Sequence, residues 1–255
     1  MINKFKIKNT PDSRALLNLG CGTITDQSWN NLDFSPYAFL KRHKTITTFV
    51  SKVGLLSKER QQKLKVLDPE VIYWNLKRGI PFADQQFDTI YMANVLEHFK
   101  LDTAIIILKE CHRTLKTGSV LRIVIPDLEK LVNNYTSTLK DARSNPEKSR
   151  KHLLSIANVF EQITRDEPHG IKHQLGLSRA IERLLRKNAR QAGEAHRWMF
   201  DEISLTYYLK NIGFKNIGVK NFEKSDIHGF SRFELDSRAE PSIRRLSLYI
   251  EAIKK

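Results

Sequence analysis

The chain has 255 residues, of which 40% are hydrophobic and 9% aromatic, enough for one domain with a substantial core. No apolar run approaches the roughly 20 residues that a membrane-spanning helix needs, and two cysteines, too few for a disulfide framework, indicate a reducing, cytoplasmic setting. The formal net charge of +15 suits a polyanion, an acidic substrate or an anionic membrane surface, but the basic residues are interleaved with acids, as on solvated helix faces.

The first part of the chain is predicted to hold two strands and a helical stretch. A strand over residues 15–19 ends at Gly20 and Gly22, and a short second strand follows over residues 29–34. Residues 36–68 carry apolar side chains at three- and four-residue spacing, which indicates helix. Proline at position 69 should end this stretch, because it cannot continue a helix.

Three more strands and one helix are predicted between residues 71 and 126. Residues 71–76 and 87–93 are the predicted third and fourth strands. An amphipathic helix is predicted over residues 102–115, and it should stop near Gly118 because glycine commonly follows a helix. A fifth strand over residues 119–125 is then closed by a proline.

The region after the fifth strand is predicted to be a helical insertion. From residue 127 to about residue 190 the pattern is helical, polar and basic, without a good strand. We therefore expect one domain over residues 1–255, in which residues 136–197 form a helical cap over the substrate.

The last elements predict the edge of a sheet. A helix should begin at Asp201 and stop at Gly213, and strands over residues 214–222 and 246–253 follow, separated by a polar loop with no helical pattern. The whole pattern predicts an α/β fold, a Rossmann-like and mostly parallel sheet of seven strands with helices on both faces and an antiparallel pair at one edge. Such a sheet binds its ligand at the carboxyl ends of its strands.

A turn with two glycines follows the first strand in the sequence Asn18-Leu19-Gly20-Cys21-Gly22. Glycine at both turn positions lets the backbone bend sharply and approach a ligand with no Cβ in the way. The same turn serves dinucleotides and purely structural bends, so by itself it identifies no cofactor. Asn18, Gly20, Cys21 and Gly22 are nevertheless our first candidates for a cofactor site.

Asp33, at the end of the second strand, is the next candidate, because a carboxylate there can accept hydrogen bonds from ribose hydroxyls. Dinucleotide sites place this acid about 20 residues after the glycines, and here the gap is far shorter. The helix between the two strands must then be reduced to a turn, which is a poor site for a pyrophosphate. S-adenosylmethionine (SAM) carries no phosphate, so the short gap favours SAM over a dinucleotide.

The stretch PFADQQFDTIYMANVLEHF, residues 81–99, should deliver the end of the fourth strand, including Asn94 and Val95, beside the cofactor. Together with the glycine turn and GSVLRIVIPD, it resembles class I SAM-dependent methyltransferases of the type 11 group. The later stretches GEAHRWMFDEISLTYYLKNIGFKNI and SRFELDSRAEPSIRRLSLYIEA resemble methyltransferases of bacterial polysaccharide and glycan biosynthesis. The resemblance spans about residues 15–130 and 194–254.

This resemblance implies a role for each matching residue. Gly20 and Gly22 would line the methionine end of SAM, and Asp33 would hold the ribose. Asn75 and Leu76 stand where the family often contacts adenine with an acid, so asparagine is a departure there. The implied activity is methyl transfer to an oxygen of a saccharide or glycan-linked small molecule, with S-adenosylhomocysteine as the second product.

An oxygen acceptor must lose its proton, and histidine is the usual base near neutral pH. His196 is our first candidate and His98 the second, although packing beside a tryptophan and a place in a first helical turn also explain them. His169 suits a surface loop as well as a base. Asp127 would orient a histidine or a substrate hydroxyl, and it is equally suited to cap a helix.

Two other functions remain open at this point. The positive charge and the basic stretch over residues 179–197 suit an RNA methyltransferase, although there is no aromatic-interleaved basic patch. A non-catalytic SAM-binding partner of another enzyme would carry the same glycines and acid. No metal site is expected, because the cysteines and histidines lack zinc-binding spacing. No membrane span is predicted, and the sequence gives no oligomeric state. The positive charge leaves peripheral contact with a membrane open.

Overall fold

The computed structural model describes residues 3–52, 58–163 and 195–255. Seven strands make one sheet. They are β1 (Leu16–Leu19), β2 (Asn30–Asp33), β3 (Ile72–Tyr73), β4 (Phe87–Ala93), β5 (Leu115–Pro126), β6 (Phe214–Lys220) and β7 (Ser247–Lys254). Their order is β3-β2-β1-β4-β5-β7-β6; the first five strands pair in parallel, and β7 pairs antiparallel with β5 and β6. The predicted Rossmann-like sheet with an antiparallel edge is confirmed.

Helices connect most of these strands. They are α1 (Pro36–Arg42), α2 (Lys44–Lys52), α3 (Lys58–Val66), α4 (Leu101–Thr114), α5 (Leu128–Ser144), α6 (Ser149–Ile163), α7 (Glu202–Ile212) and α8 (Pro241–Leu246). No helix among the described residues is long and apolar enough to cross a bilayer.

One face of the sheet packs against α4 and α7. Successive side chains of a strand point to opposite faces, so alternate residues of the central strands, such as Leu17, Ile90 and Ile123, share one buried cluster with Leu108 of α4 and Leu205 of α7. This is the face that the period-3.6 pattern of the two helices predicts.

The opposite face is covered by residues 221–246, which we call the β6–β7 connection. A doubly wound sheet places a helix after β1, but here only a turn-rich loop lies between β1 and β2. Phe230 and Phe233 of the connection instead pack with Trp29 and Tyr91 in a second cluster, and the ring centroids of Trp29 and Phe233 are 5.4 Å apart. The prediction of a polar loop without helix is wrong, since the connection holds α8 and buries these aromatic rings.

A buried ion network ties the connection to the sheet. Arg122 of β5 is 0% exposed, and its guanidinium lies 2.5 Å from Asp236 of the connection and 2.7 Å from Glu251 of β7. The same guanidinium donates to the carbonyl oxygens of Asn221 at 2.9 Å and Lys224 at 3.2 Å. A buried charge is tolerated only with such saturation by partners, so the connection and the sheet form one unit.

Two boundaries differ from the sequence prediction. The helix predicted over residues 102–115 spans Leu101–Thr114, but the fifth strand, expected over residues 119–125, begins already at Leu115, which pairs with Phe87 of β4. Gly118, with φ +81°, lies inside the strand. The strand expected over residues 71–76 has only two residues, because the side chain of Asn75 caps a 3-10 turn over Leu76–Arg78.

The predicted helical insertion is described only in part. Helices α5 and α6 account for residues 128–163, and they meet through the hydroxyls of Thr138 and Ser155, 2.8 Å apart. Residues 164–194 lie outside the described part of the chain, and residues 195–197 carry no helix. The single domain and the role of residues 136–197 as a substrate cap stay predictions.

Candidate functional site

The carboxyl ends of β1, β2 and β4 meet at one edge of the sheet, as parallel strands must. The backbone N–H groups of Gly20 and Cys21 both donate to the carbonyl oxygen of Leu32, at 2.7 and 3.2 Å. The turn over residues 20–22, the glycine turn, is therefore fastened to the end of β2. This places its glycines beside Asp33.

Asp33 is buried and holds two backbone groups. One carboxylate oxygen accepts from the N–H of Gly22 at 2.7 Å, and the other accepts from the N–H of Ser35 at 2.5 Å. A carboxylate has about four acceptor positions, so lone pairs remain for a ligand. Asp33 thus joins the glycine turn to the start of α1 and keeps acceptor capacity at the strand end.

The two glycines of the turn differ in what surrounds them. A Cβ at Gly20 would lie 2.3 Å from a methyl carbon of Val95, so Gly20 is needed for packing inside the chain. A Cβ at Gly22 would have no atom within 4 Å apart from those of the adjacent residues. Both have positive φ, +63° and +52°, which favours glycine. Open space for a ligand lies at Gly22, whereas a side chain at Gly20 would first meet Val95.

A cavity lies between the glycine turn and the β6–β7 connection. Asn18, Gly20, Cys21 and Asn94 line it from the strand ends, with Asp236 of the connection across from them. Four of the nine predicted cofactor residues therefore meet at one cavity. Sequence reasoning missed Asp236, because the fold alone brings residues of the connection to this edge.

Three of the residues around this cavity differ in how the fold constrains them. The Asn18 amide donates to the carbonyl oxygen of Ile24 at 3.0 Å and to the side chain of Asn31 at 3.1 Å, so it holds the loop after β1. Burial raises the pKa of the Cys21 thiol, which is therefore neutral near pH 7. Asn94 has φ +52°, a backbone conformation that asparagine adopts more readily than most residues.

Asn75 and Leu76 do not line this cavity. The Asn75 side chain accepts from the N–H of Lys77 at 3.0 Å, and Leu76 is buried in the main core. Their structural roles, a turn cap and a core contact, explain both residues. An adenine contact at this position stays a prediction.

Glu97, His98 and His196 lie together just beyond the end of β4. Glu97 and His98 belong to the 3-10 turn Leu96–His98, and His196 comes from the segment before α7. One donor atom from each of the three side chains lies within 4.8 Å of the others. The ring centroids of His98 and His196 are 4.9 Å apart, and the rings are inclined by 75°. The two predicted histidines are thus brought together, and we call the three residues the EHH cluster.

Glu97 is the buried member of the EHH cluster, with 1% of its surface exposed. Neither of its carboxyl oxygens has a hydrogen-bond partner among the described residues. Burial raises the pKa of Glu97 to about 8, because an ionised carboxylate loses its solvation there. Sequence reasoning missed Glu97 as a functional residue, although an acid inside the apolar run VLEHF was the available signal.

Asp127 lies at the N-terminus of α5, where the second of its two predicted roles, a helix cap, is confirmed. Its side chain caps α5 by accepting from the N–H groups of Glu129 at 3.1 Å and Lys130 at 3.4 Å, and it lies 3.3 Å from the Lys130 ammonium. It is not one of the three residues of the EHH cluster. The cap explains Asp127, and His169 lies outside the described residues.

The chain is similar to known proteins in one region of its sequence and in its fold. Residues 17–123 match a family model described as a methyltransferase domain. No curated protein matches the chain. The matched region contains most of β1, all of β2 to β4, the glycine turn, Asp33 and Asn94.

Solved structures with a similar fold share little sequence with this chain. A SAM-dependent methyltransferase from Archaeoglobus fulgidus has 12% identity and a TM-score of 0.43, with 94% of this chain and 85% of that chain covered. A possible histamine N-methyltransferase from Thermotoga maritima has 14% identity and a TM-score of 0.41, with 94% and 82% covered. The phosphoethanolamine N-methyltransferase 2 of Haemonchus contortus has 12% identity and a TM-score of 0.41. The match includes 98% of this chain and 50% of that protein.

Proposed function

We propose that this SAM-dependent methyltransferase transfers a methyl group to an oxygen of a saccharide or glycan-linked small molecule. The observation that carries the proposal is the EHH cluster, which gathers three proton-binding side chains just past the end of β4. An oxygen acceptor must lose a proton on methylation, and groups of this kind promote that loss. The saccharide class is supported by the sequence resemblance over residues 194–254, which include His196.

SAM is the cofactor, as the sequence predicts and as the match over residues 17–123 supports. When bound, SAM supplies an electrophilic methyl group on its sulfonium. We place it against the glycine turn, because Gly22 borders open space and Asp33 keeps acceptor positions at the end of β2. Asn94 completes this edge from the end of β4, where its backbone N–H is held by the carbonyl oxygen of Val124 at 2.8 Å.

The contribution of the protein to the reaction is positioning, exclusion of water and removal of the acceptor proton. Transfer needs the acceptor oxygen within roughly 3–3.5 Å of the methyl carbon and in line with the bond that breaks. The β6–β7 connection closes one side of the edge with buried apolar residues such as Leu235, which keeps water out. Proton removal is assigned to the EHH cluster.

The acceptor class can be tested directly. Purified protein is incubated with SAM and separate pools of sugar nucleotides, oligosaccharides, lipids and RNA, and products are screened by mass spectrometry for an added CH₂. We expect the mass increase in a saccharide-containing pool, with the new methyl group on oxygen. A product only in the RNA pool, or a methyl group on nitrogen, would contradict the proposal.

Replacing His196 tests the assignment of proton removal. His196→Ala should lower kcat by about 10²–10⁴-fold, because the EHH cluster loses a proton-binding or ligating group, and the affinity for SAM should be nearly unchanged in calorimetry. The exposed His228 provides the matched control, since His228→Ala removes an imidazole outside the cluster. Full turnover of both His196→Ala and His98→Ala would exclude the cluster from proton removal.

A further inference from the structure

We infer that Glu97, His98 and His196 form a binding site for a divalent transition-metal cation. Two imidazoles and one carboxylate are a common donor set for Zn²⁺, Mn²⁺, Fe²⁺, Co²⁺ and Ni²⁺, whereas Mg²⁺ prefers oxygen donors. What points to a metal is that one donor atom from each lies within 4.8 Å of the other two.

The spacing of the donors is close to that of a filled site. Ligand atoms about 2.1 Å from one cation lie about 3–4.2 Å from one another. In the cluster the donor separations reach at most 4.8 Å, which is about 0.6 Å beyond that range.

Burial of Glu97 is the second, independent observation. Its carboxyl is 1% exposed and has no hydrogen-bond partner among the residues that the structure describes. An ionised carboxylate in such a place is strongly disfavoured unless a positive charge accompanies it. A divalent cation between Glu97 and the two imidazoles supplies that charge.

The backbone holds the two halves of the site in register. The carbonyl oxygen of Glu97 accepts from the N–H of Arg197 at 2.6 Å and from the N–H of Trp198 at 3.3 Å. These bonds fasten the segment that carries His196 to the turn that carries Glu97 and His98. The site is thus built by main-chain hydrogen bonds, and it does not depend on the chance approach of long side chains.

The two histidines form the less buried side of the site. Glu97 is buried, while both histidines are half-buried, so three protein ligands leave coordination positions toward the half-buried side. A saccharide hydroxyl would occupy one of these coordination positions. This part of the inference alone rests on the proposed function. Coordination would make its O–H more acidic, so that the proton passes to water. An oxygen lone pair would then form the bond to the methyl carbon of SAM while the S–CH₃ bond breaks, and S-adenosylhomocysteine would leave with that electron pair on sulfur. The histidines then act as ligands and no longer as bases.

Binding of Co²⁺ provides the test, since its visible absorption reports nitrogen and oxygen ligands. The full-length protein is used without a histidine tag, after removal of metals with a chelator, and Co²⁺ binding is followed by calorimetry and absorbance. We expect one equivalent to bind, with affinity at least tenfold weaker in Glu97→Gln and in His196→Ala. The control His228→Ala should bind Co²⁺ as the wild type does.

Glu97→Gln keeps the outcome interpretable, because the neutral amide has the shape of a protonated carboxyl and should preserve the fold. Co²⁺ should raise the Tm of the wild type and leave that of Glu97→Gln unchanged. Absence of stoichiometric binding to the wild type, or equal binding by the variants, overturns the inference. SAM affinity and the acceptor screen are separate readouts, so failure of the metal site and failure of the proposed function are distinguishable.

Discussion

Asp33 contributes a carboxylate that serves the protein and its proposed ligand at once. It holds the N–H groups of Gly22 and Ser35, and in our assignment it also accepts from the ribose of SAM. Asp33→Ala should weaken SAM binding at least tenfold, since each charge-assisted hydrogen bond contributes about 1.5–3 kcal/mol. Calorimetry with SAM and S-adenosylhomocysteine measures the loss, with the exposed Glu223→Ala as control. An unchanged Kd would show that the ribose lies elsewhere.

The glycine turn offers a pair of substitutions with different expected effects. Gly20→Ala should lower the Tm strongly, because its Cβ would overlap Val95, and the additional change Val95→Ala should restore part of the loss. Gly22→Ala should lower the free energy of unfolding by only about 1–2 kcal/mol, the cost of a positive φ for a residue with a Cβ. It should nevertheless weaken SAM binding, because the added methyl group would enter the open space beside the turn. Thermal unfolding and calorimetry on the same samples separate the two effects. If Gly22→Ala bound SAM as tightly as the wild type, the cofactor would not lie against this turn.

At the residue scale, the sequence predicted which residues lie at the ends of the strands. Gly22, Asp33 and Asn94 follow recognisable strands, so their meeting at one edge could be predicted. The surroundings of Glu97 could not be predicted, because residues 197 and 198, whose N–H groups bond to its carbonyl oxygen, come from a distant part of the sequence. Local pattern gives the identity of such a residue but not its environment.

The cap of α7 shows how a single side chain sets the end of an element. Asp201 accepts from the N–H of Ser204 at 2.8 Å, and the Ser204 hydroxyl accepts from the N–H of Asp201 at 3.1 Å. Asp201→Ala should lower the free energy of unfolding by about 1 kcal/mol at pH 7. Urea unfolding followed by circular dichroism measures it, and Asp201→Asn, which keeps an acceptor, is the control.

The same cap predicts a pH dependence. The hydrogen bond from the Ser204 N–H lowers the pKa of Asp201 below its ordinary value of 3.8. A lowered pKa in the folded state means that the stabilisation is fully present above pH 3.8 and is lost as the pH falls through the folded-state pKa. The stability difference between wild type and Asp201→Asn should therefore shift toward the asparagine variant in acid. A difference that is constant from pH 7 to acid would contradict this account.

At the element scale, hydrophobic patterns bounded by clear start and stop residues predicted their strands and helices well. The bounds of β4 agree with the prediction, and α7 begins and ends at its capping residues Asp201 and Gly213. The start of β5 was missed, because Leu115 already pairs with β4 four residues before the predicted start of the strand. The β6–β7 connection was missed because its buried side chains follow neither helical nor strand spacing.

At the scale of the whole molecule, the buried Arg122 network decides whether the connection stays on the sheet. Asp236→Ala should cost about 3–5 kcal/mol, because it leaves the Arg122 charge partly unpaired and also removes the acceptor of the Tyr91 hydroxyl, 2.7 Å away. Asp226→Ala is the control, since it breaks an exposed pair with Lys220 in the same connection and should cost less than about 1 kcal/mol. Equal stability of both variants would show that the network does not hold the connection.

The position of β7 between β5 and β6 has a consequence for synthesis on the ribosome. Trp29 and Tyr91 emerge long before Phe230 and Phe233, the rings that cover them, and the strand that fills the gap in the sheet emerges later still. At about 5–20 residues per second, Tyr91 waits roughly 7–28 s for Phe230. During that interval the nascent chain presents an uncovered aromatic surface and an open sheet edge. We expect it to be a substrate of chaperones that bind such surfaces until the last strand is inserted.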